Sequence, residues 1–168
     1  GVLKSEGDIY TGKLPNNILL GNYSLNWGGR MWAMVLTLFI TNDKAERIEL
    51  FSHELFHRVQ EKLNFARAND LNNQHLDKEE GRIYLRLELE ALTKALNAAN
   101  KNETIRHLTD ALKFRLYRYK LFPNAHASEA SIEINEGVAS YTGKIFRGLN
   151  HKEVADLMSV KIKEFYMQ

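Results

Sequence analysis

The uneven distribution of glycine and proline is the feature that most constrains the fold of this chain. Six of the ten glycines and one of the two prolines precede Asn42, and both residue types are sparse after it. Glycine and proline favour turns and interrupt helices, so the first quarter of the chain predicts short strands and the remainder predicts helices. Strands followed by a run of helices are typical of the α+β class, here with a small N-terminal β-sheet or hairpin.

Local patterns predict where these elements lie. Residues 18–20 and 32–40 are the best strand candidates, and the sequence N-W-G-G at residues 26–29 between them is typical of a hairpin turn. Asp43 followed by Glu46 is the pattern of a capping box, which marks the start of a helix. Four to five helices are expected, near residues 44–65, 78–99, 103–121, 127–146 and 151–168.

Polar residues between these segments predict caps and a loop. Asn102 is expected to cap the third helix, and Asn150 is expected to cap the last one. The polar stretch at residues 69–74 is expected to form the loop between the first two helices.

Composition and charge exclude several classes of function. The chain of 168 residues has a formal net charge of +2 with interspersed acids and bases, which gives no support for nucleic-acid binding. It contains no cysteine, which excludes a disulfide framework and thiolate metal ligands. No apolar stretch approaches the length of a membrane span. We expect residues 1–168 to form one domain, complete or part of a longer protein, and the compartment stays open because the sequence begins with Gly1.

The sequence H-E-L-F-H at residues 53–57 is the strongest functional signal. Helical spacing puts residues four apart on one face, so His53 and His57 can direct their imidazoles to a single ion. Glu54 then lies beside the ion, where a general base for a metal-bound water belongs. The alternative is a core helix that carries two surface or capped histidines.

A catalytic zinc site usually has three protein ligands, so a third ligand is needed. The chain has no histidine at the spacing of the extended H-E-x-x-H-x-x-G-x-x-H pattern, which indicates a carboxylate from another helix. Glu136 is one candidate, because the small residues Gly137, Ala139 and Ser140 would let its helix pack close to the histidine helix. The alternative is a solvated glutamate on an amphipathic helix.

Glu88 is the second candidate. It interrupts an otherwise apolar helical stripe, so its carboxylate needs a partner. Three roles stay open: Glu88 could orient a ligand histidine from behind, bind the metal itself, or pair with Arg115 in the third helix. The apolar stripe around it consists of Gly81, Tyr84, Leu85, Ala91, Leu92, Ala95 and Leu96.

The sequence N-E-G-V-A-S-Y at residues 135–141 resembles the N-E-G-F-A-S-Y segment of the aminopeptidase N-like gluzincins. The resemblance implies that His53, His57 and Glu136 bind zinc and that Glu54 is the base. The chain departs from that family in two ways. Here 78 residues lie between His57 and Glu136, enough for a helical-hairpin insertion, and the G-A-M-E-N motif that binds a substrate amino terminus is absent.

A second resemblance covers more of the chain. The H-E-L-F-H segment, the helices that carry Glu88 and Arg115, and N-E-G-V-A-S-Y-T-G at residues 135–143 are similar to a group of poorly characterised bacterial H-E-x-x-H proteins with a long helical insert. Together the resemblances imply a zincin-like fold and a Zn2+-dependent peptidase. In such an enzyme, Glu54 would activate a metal-bound water for attack on a peptide or protein substrate.

Two other functions stay open. A catalytically inactive zincin-like domain would bind metal or a partner without turnover, and a helical interaction module would carry the motif by coincidence. For the enzyme, the strand near residues 32–38 could bind an extended peptide along its edge, and a second donor should help to stabilise the oxyanion. The candidate donors are Tyr84, His107, Tyr117, His126 and Tyr141.

Overall fold

The computed structural model of the protein describes residues 3–65 and 72–166. These residues form two small antiparallel hairpins followed by helices, which confirms the predicted α+β class. Within the described ranges, no helix has both the length and the apolar composition needed to cross a bilayer. The elements are β1 (Lys4–Glu6), β2 (Ile9–Thr11), β3 (Tyr23–Trp27), β4 (Arg30–Met34), α1 (Lys44–Val59), α2 (Glu79–Leu96), α3 (Lys101–Leu121), α4 (Ala125–Ile132), α5 (Val138–Phe146) and α6 (His151–Tyr166).

The second hairpin confirms the predicted turn. β3 and β4 pair antiparallel, and the pair nearest the turn is Trp27 with Arg30. Gly28 and Gly29 between them have φ values of +60° and +74°. A tight hairpin turn requires this left-handed conformation, which glycine adopts without steric cost.

The remaining strand predictions were partly wrong. Residues 18–20 lie in an irregular segment, and Thr37–Phe39 forms a 3-10 turn after β4 rather than more strand. The side chain of Asn22 accepts a hydrogen bond from the Leu36 backbone N–H at 2.8 Å. This bond takes a backbone donor that strand pairing would need. The first hairpin was not predicted, because its exposed strands have no buried face to produce an alternating pattern.

α1 begins where the sequence predicts. The Asp43 carboxylate accepts a hydrogen bond from the Glu46 backbone N–H at 2.8 Å, as an N-cap does. The regular helix ends at Val59 rather than at residue 65, and the chain continues as a 3-10 turn over Gln60–Leu63. This turn directs Gln60 into the interior, where it is 0% exposed.

The connection between α1 and α2 is described in part. Residues 69–71 of the predicted polar loop lie outside the described residues, and Gln74–Asp77 forms a 3-10 turn. α2 packs so closely on this turn that a β-carbon at Gly81 would overlap the carbonyl oxygen of His75.

α2 and α3 form the helical hairpin that was expected between the two motifs. α3 begins two residues earlier than predicted, because Asn100 and not Asn102 is its cap. Asn100 Oδ1 accepts a hydrogen bond from Glu103 N at 3.0 Å, and Glu103 Oε2 accepts one from Ala99 N at 3.2 Å. Both backbone donors at the start of α3 are therefore satisfied.

The predicted fourth helix is divided into three parts. α4 and α5 are separated by a π-helical segment at Glu133–Gly137, which contains the N-E-G sequence. α5 packs on α1, and α6 packs on α2 and α5. α6 begins at its predicted cap, where Asn150 Oδ1 accepts hydrogen bonds from Lys152 N and Glu153 N. The packing of α5 on α1 brings the π-helical segment to the histidine motif.

Candidate metal centre

His53 and His57 lie on the same face of α1. Their Nε2 atoms are 3.2 Å apart, and their rings meet edge to face with centroids 4.9 Å apart. Two imidazoles that point the same nitrogen at one place can both donate a lone pair to a single ion. The helical spacing of the motif therefore produces the expected convergence.

Glu136 reaches the same place from the π-helical segment. Its Oε2 atom is 3.4 Å from His53 Nε2, and its Oε1 atom is 3.9 Å from His57 Nε2. One ligand atom from each of the three residues lies within 4.8 Å of the others, a spacing that can hold a metal ion. The Glu136 side chain is 48% exposed, so this centre is open to solvent on the glutamate side.

The packing of α5 against α1 positions the π-helical segment. Ala139 is completely buried, and a β-carbon at Gly143 would stand 2.7 Å from the backbone oxygen of Glu49. A β-carbon at Gly137 would have nothing within 4 Å. Of the small residues expected to bring the two helices together, Ala139 is buried and Gly137 has no close neighbour, so the expectation is wrong for Gly137. The close approach lies at Gly143, which was not among the predicted residues.

Glu54 lies beside the three candidate ligands and is buried, with 4% of its surface exposed. Its Oε2 atom has no hydrogen-bond partner among the described residues. Burial raises the pKa of the Glu54 carboxyl, a charge on His57 opposes this rise, and the Glu136 carboxylate adds to it. An unpaired buried carboxylate next to a metal-binding geometry is the arrangement expected of a general base.

The electrostatic surroundings of His53 favour its neutral form. Burial lowers the pKa of His53, and a positive charge on His57 lowers it further. The Glu136 carboxylate partly opposes these effects. A neutral imidazole is the form that binds a metal, so His53 is suited to that role.

Two residues that the sequence analysis missed connect His57 to Glu136. Gln60 Oε1 lies 3.1 Å from His57 Nδ1, and Gln60 Nε2 donates to Asn135 Oδ1 at 3.1 Å. Asn135 Nδ2 in turn donates to Glu136 Oε1 at 2.7 Å. The contact between Gln60 and His57 could have been predicted from the sequence, because Gln60 follows His57 at a helical interval of three. The contact with Asn135 spans 75 positions and has no local signal.

Glu88 lies outside the group of three and pairs with two arginines. Its Oε1 atom accepts a hydrogen bond from Arg115 Nε at 2.7 Å, and its Oε2 atom lies 2.7 Å from Arg118 Nη2. Arg115 also donates to both oxygens of Glu133, at 3.0 and 2.6 Å. Of the three roles left open for Glu88, the structure places it in the ion pair with Arg115. Through Glu133, that pair also holds the segment that carries Glu136.

Arg118 is the centre of a buried charge network that the sequence analysis missed. It is 0% exposed, and its Nε and Nη2 atoms donate to Glu129 at 2.7 and 2.6 Å. Glu129 Oε1 also lies 2.6 Å from His75 Nε2. Burial alone would raise the pKa of Glu129, but the hydrogen bonds and charge of Arg118 lower it below its ordinary value.

A cavity of about 370 Å³ is lined by His53 and Glu54 together with Arg147. Arg147 Nη1 donates to Glu49 Oε2 at 3.0 Å, and the buried Lys144 donates to Glu49 Oε1 at 3.1 Å. Burial raises the pKa of Glu49, yet the hydrogen bonds from Arg147 and Lys144 bring it below its ordinary value. Glu49 is therefore a carboxylate that holds Arg147 at the cavity wall.

The predicted oxyanion donors lie elsewhere, since none is among the described residues that line this cavity. The Tyr141 hydroxyl hydrogen-bonds to His151 Nδ1 at 2.7 Å. Tyr84 and Tyr117 pack together between α2 and α3, with ring centroids 4.6 Å apart. Arg147 is the cationic donor at the cavity, and sequence reasoning missed it. The other predicted donors outside the cavity lining are His107 and His126.

Comparisons with known proteins found no match among family models, curated proteins or solved structures. The resemblances to gluzincins and to bacterial H-E-x-x-H proteins therefore stay predictions. The functional conclusion depends on the side chains at the centre and on their chemistry.

Proposed function

We propose that the protein hydrolyses peptide bonds with a zinc ion held by His53, His57 and Glu136. The observation that carries the proposal is the convergence of these three side chains next to a buried acid, Glu54. Two imidazole nitrogens and one carboxylate oxygen form a common ligand set of catalytic zinc sites. The fit is supported by ligand atoms within 4.8 Å of one another and by the partnerless Oε2 atom of Glu54.

Glu54 is the proposed general base. When bound, zinc would polarise the peptide carbonyl and make water a better nucleophile at neutral pH. Glu54 Oε2 accepts a proton from the attacking water, whose oxygen forms a bond to the carbonyl carbon. The C–N bond then breaks, and Glu54 returns the proton to the leaving amine. Burial raises the pKa of Glu54, which supports the role because it makes the carboxylate a stronger base.

Arg147 is the proposed polar contact for the substrate. It lines the same cavity as His53 and Glu54, and Glu49 fixes the position of its guanidinium. Its remaining N–H groups can donate to a substrate carbonyl or carboxylate. β4 pairs with β3 alone among the described strands, so its other edge can accept an extended peptide.

The test compares two substitutions by zinc content and by cleavage of a peptide library. Glu54→Gln should keep stoichiometric zinc and lose hydrolysis, because the amide cannot accept the proton. His53→Ala should lose both zinc and hydrolysis. Glu79→Gln, at an exposed position at the start of α2, is the matched control and should behave as the wild type.

The same measurements separate the proposal from its alternatives. Peptide cleavage by Glu54→Gln at the wild-type rate would show that the mechanism is wrong. Wild-type protein that holds stoichiometric zinc and cleaves no peptide would support the inactive metal-binding domain. Wild-type protein without stoichiometric zinc, when it is purified without chelator, would support a coincidental motif.

A further inference from the structure

We infer that Gln60 and Asn135 form an amide relay that keeps the His57 proton on Nδ1 and leaves the Nε2 lone pair facing the metal position. The inference depends on the metal centre proposed above, but it does not depend on peptidase activity. Gln60 and Asn135 are positioning residues, because each acts through a candidate ligand and not on the substrate.

The relay has a direction, and Glu136 sets it. An ionised carboxylate only accepts hydrogen bonds, so Asn135 must turn its Nδ2 atom toward Glu136 Oε1, 2.7 Å away. Asn135 Oδ1 then faces Gln60 Nε2 at 3.1 Å, and Gln60 Oε1 faces His57 Nδ1 at 3.1 Å. Because Gln60 Oε1 can only accept, Nδ1 must be the protonated ring nitrogen.

The reversed arrangement would be unfavourable. If both amides were flipped, Asn135 Oδ1 would stand 2.7 Å from Glu136 Oε1, with two oxygens in contact and no proton between them. The amide group of Gln60 would then donate to His57 Nδ1, and the imidazole proton would move to Nε2. In that form, the nitrogen nearest His53 and Glu136 would have no lone pair for a metal.

Burial makes the relay sensitive to substitution. Gln60 is 0% exposed, so loss of its partners would leave amide groups without hydrogen bonds in the interior. The relay also joins ligands on two elements that are distant in the sequence, since Gln60 follows α1 and Asn135 lies in the π-helical segment. One ligand, Glu136, therefore orients the other, His57, before any metal binds.

The first test needs no substitution and no metal. Long-range 1H–15N correlation spectra of metal-free wild-type protein identify the protonated nitrogen of each neutral histidine. We expect His57 to be protonated at Nδ1, whereas free imidazoles in water favour Nε2 protonation. A spectrum with the His57 proton on Nε2 would overturn the inference, whatever the zinc affinity or the peptidase activity.

Three substitutions then separate the two ends of the relay. Gln60→Met removes the polar contacts with His57 and Asn135 at similar size. It should therefore release the Nδ1 tautomer and weaken zinc binding by roughly 10–100-fold, the usual effect of losing a partner of a ligand histidine. Gln60→Glu restores an acceptor for Nδ1–H, so it should recover the tautomer and zinc affinity above that of Gln60→Met. Asn135→Asp still accepts from Gln60 but repels Glu136, so it should weaken zinc binding with the tautomer unchanged.

Zinc affinity is measured by competition with a chelator, and urea unfolding of the metal-free variants reports whether each one folds. Gln74→Met, a substitution of an exposed glutamine, is the control and should match the wild type in both measurements.

If folded Gln60→Met bound zinc with wild-type affinity, or if Gln60→Glu bound zinc no more tightly than Gln60→Met, the relay would have no positioning role. Should Gln60→Met fail to fold, Asn135→Asp and the wild-type spectrum still decide the question. A wild type that binds no zinc would refute the metal centre and leave the tautomer measurement valid.

Discussion

Gly143 and Glu49 are in close contact at the crossing of α5 and α1. A β-carbon at Gly143 would stand 2.7 Å from the Glu49 backbone oxygen and 3.3 Å from Glu49 Cγ. Glu49 lies one helical turn before His53, and Gly143 lies two turns after Glu136. We therefore expect the approach of the two helices at this contact to set the distance between Glu136 and the histidines.

The first prediction concerns Gly143→Ala. The backbone oxygen of Glu49 cannot move aside as a side-chain end could, so α5 must shift away from α1. We expect a loss of about 1–3 kcal/mol in the free energy of unfolding, as for an overpacked interior, together with weaker zinc binding. Urea unfolding and a zinc competition assay measure the two effects.

Gly137→Ala is the matched control, because a β-carbon there would meet nothing within 4 Å. Alanine is the better helix former, so this variant should be as stable as the wild type or more stable by up to about 1 kcal/mol. Equal behaviour of the Gly143 and Gly137 variants would mean that the Gly143 contact does not position Glu136.

The second prediction distinguishes Glu136 from Glu88 as the third ligand. Glu136→Gln should lose most of its bound zinc in elemental analysis while it stays folded, because the Glu136 side chain is 48% exposed. Glu88→Gln should keep zinc but lose about 3–5 kcal/mol of stability, because it removes the charge that faces the buried Arg118. The reverse result, with full zinc in Glu136→Gln and none in folded Glu88→Gln, would transfer the ligand role to Glu88.

The third prediction concerns the pH dependence of stability. The pKa of Glu129 in the folded protein lies below its ordinary value of 4.5. Its ionised form therefore stabilises the fold fully above the unfolded value, and this contribution is lost as the pH falls through the lower folded value. The stability lost when Glu129 is protonated should be large, since Glu129 is 7% exposed and pairs with a fully buried arginine, Arg118.

Glu129→Gln isolates this effect from the other carboxylates. At pH 7 the variant should be less stable than the wild type by about 3–5 kcal/mol, the cost of leaving Arg118 without that charge. The difference should decrease below pH 4.5, because Glu129 of the unfolded chain takes up its proton there while the folded protein still holds this carboxylate ionised. Urea unfolding of both proteins between pH 7 and about pH 3 measures it. A difference that is constant with pH would contradict the assigned pKa shift.

The fourth prediction concerns Arg147 and depends on the proposed activity. Arg147→Met should lower kcat/KM for peptide substrates by about tenfold or more, because a hydrogen bond from a charged group is worth about 1.5–3 kcal/mol. Zinc content should not change, because Arg147 lies outside the group of three candidate ligands. Lys152→Met removes a surface cation whose side chain is 84% exposed, and its kcat/KM should equal that of the wild type. An unchanged kcat/KM in Arg147→Met would exclude a contact between Arg147 and the substrate.

Much of the local structure followed from short-range patterns. Asp43 caps α1, Asn150 caps α6, and Gly28 and Gly29 form the hairpin turn, as the sequence predicted. These features depend on residues within four positions of one another, where backbone geometry alone sets the contacts. The cap of α3 was misplaced by two residues because Asn100 and Asn102 are the same residue type, and the pairing of Asn100 with Glu103 decided between them.

The side chains that surround the centre could not be predicted in the same way. Arg118, Glu129 and His75 form a buried network, and nothing in their local sequence distinguishes them from surface charges. The predicted fourth helix is divided at Glu133–Gly137, where Arg115 donates two hydrogen bonds to Glu133 from 18 positions away in the sequence, a contact with no local signal.

The sequence by itself determined that His53 and His57 share one face of a helix, with Glu54 next to them, because a helix repeats every 3.6 residues. Only the tertiary structure brought Glu136 to the two histidines and paired Glu88 with arginines instead. The physical reason is that backbone geometry fixes neighbours within a helix. Contacts between helices depend on which small residues permit close approach and on which buried charges find partners.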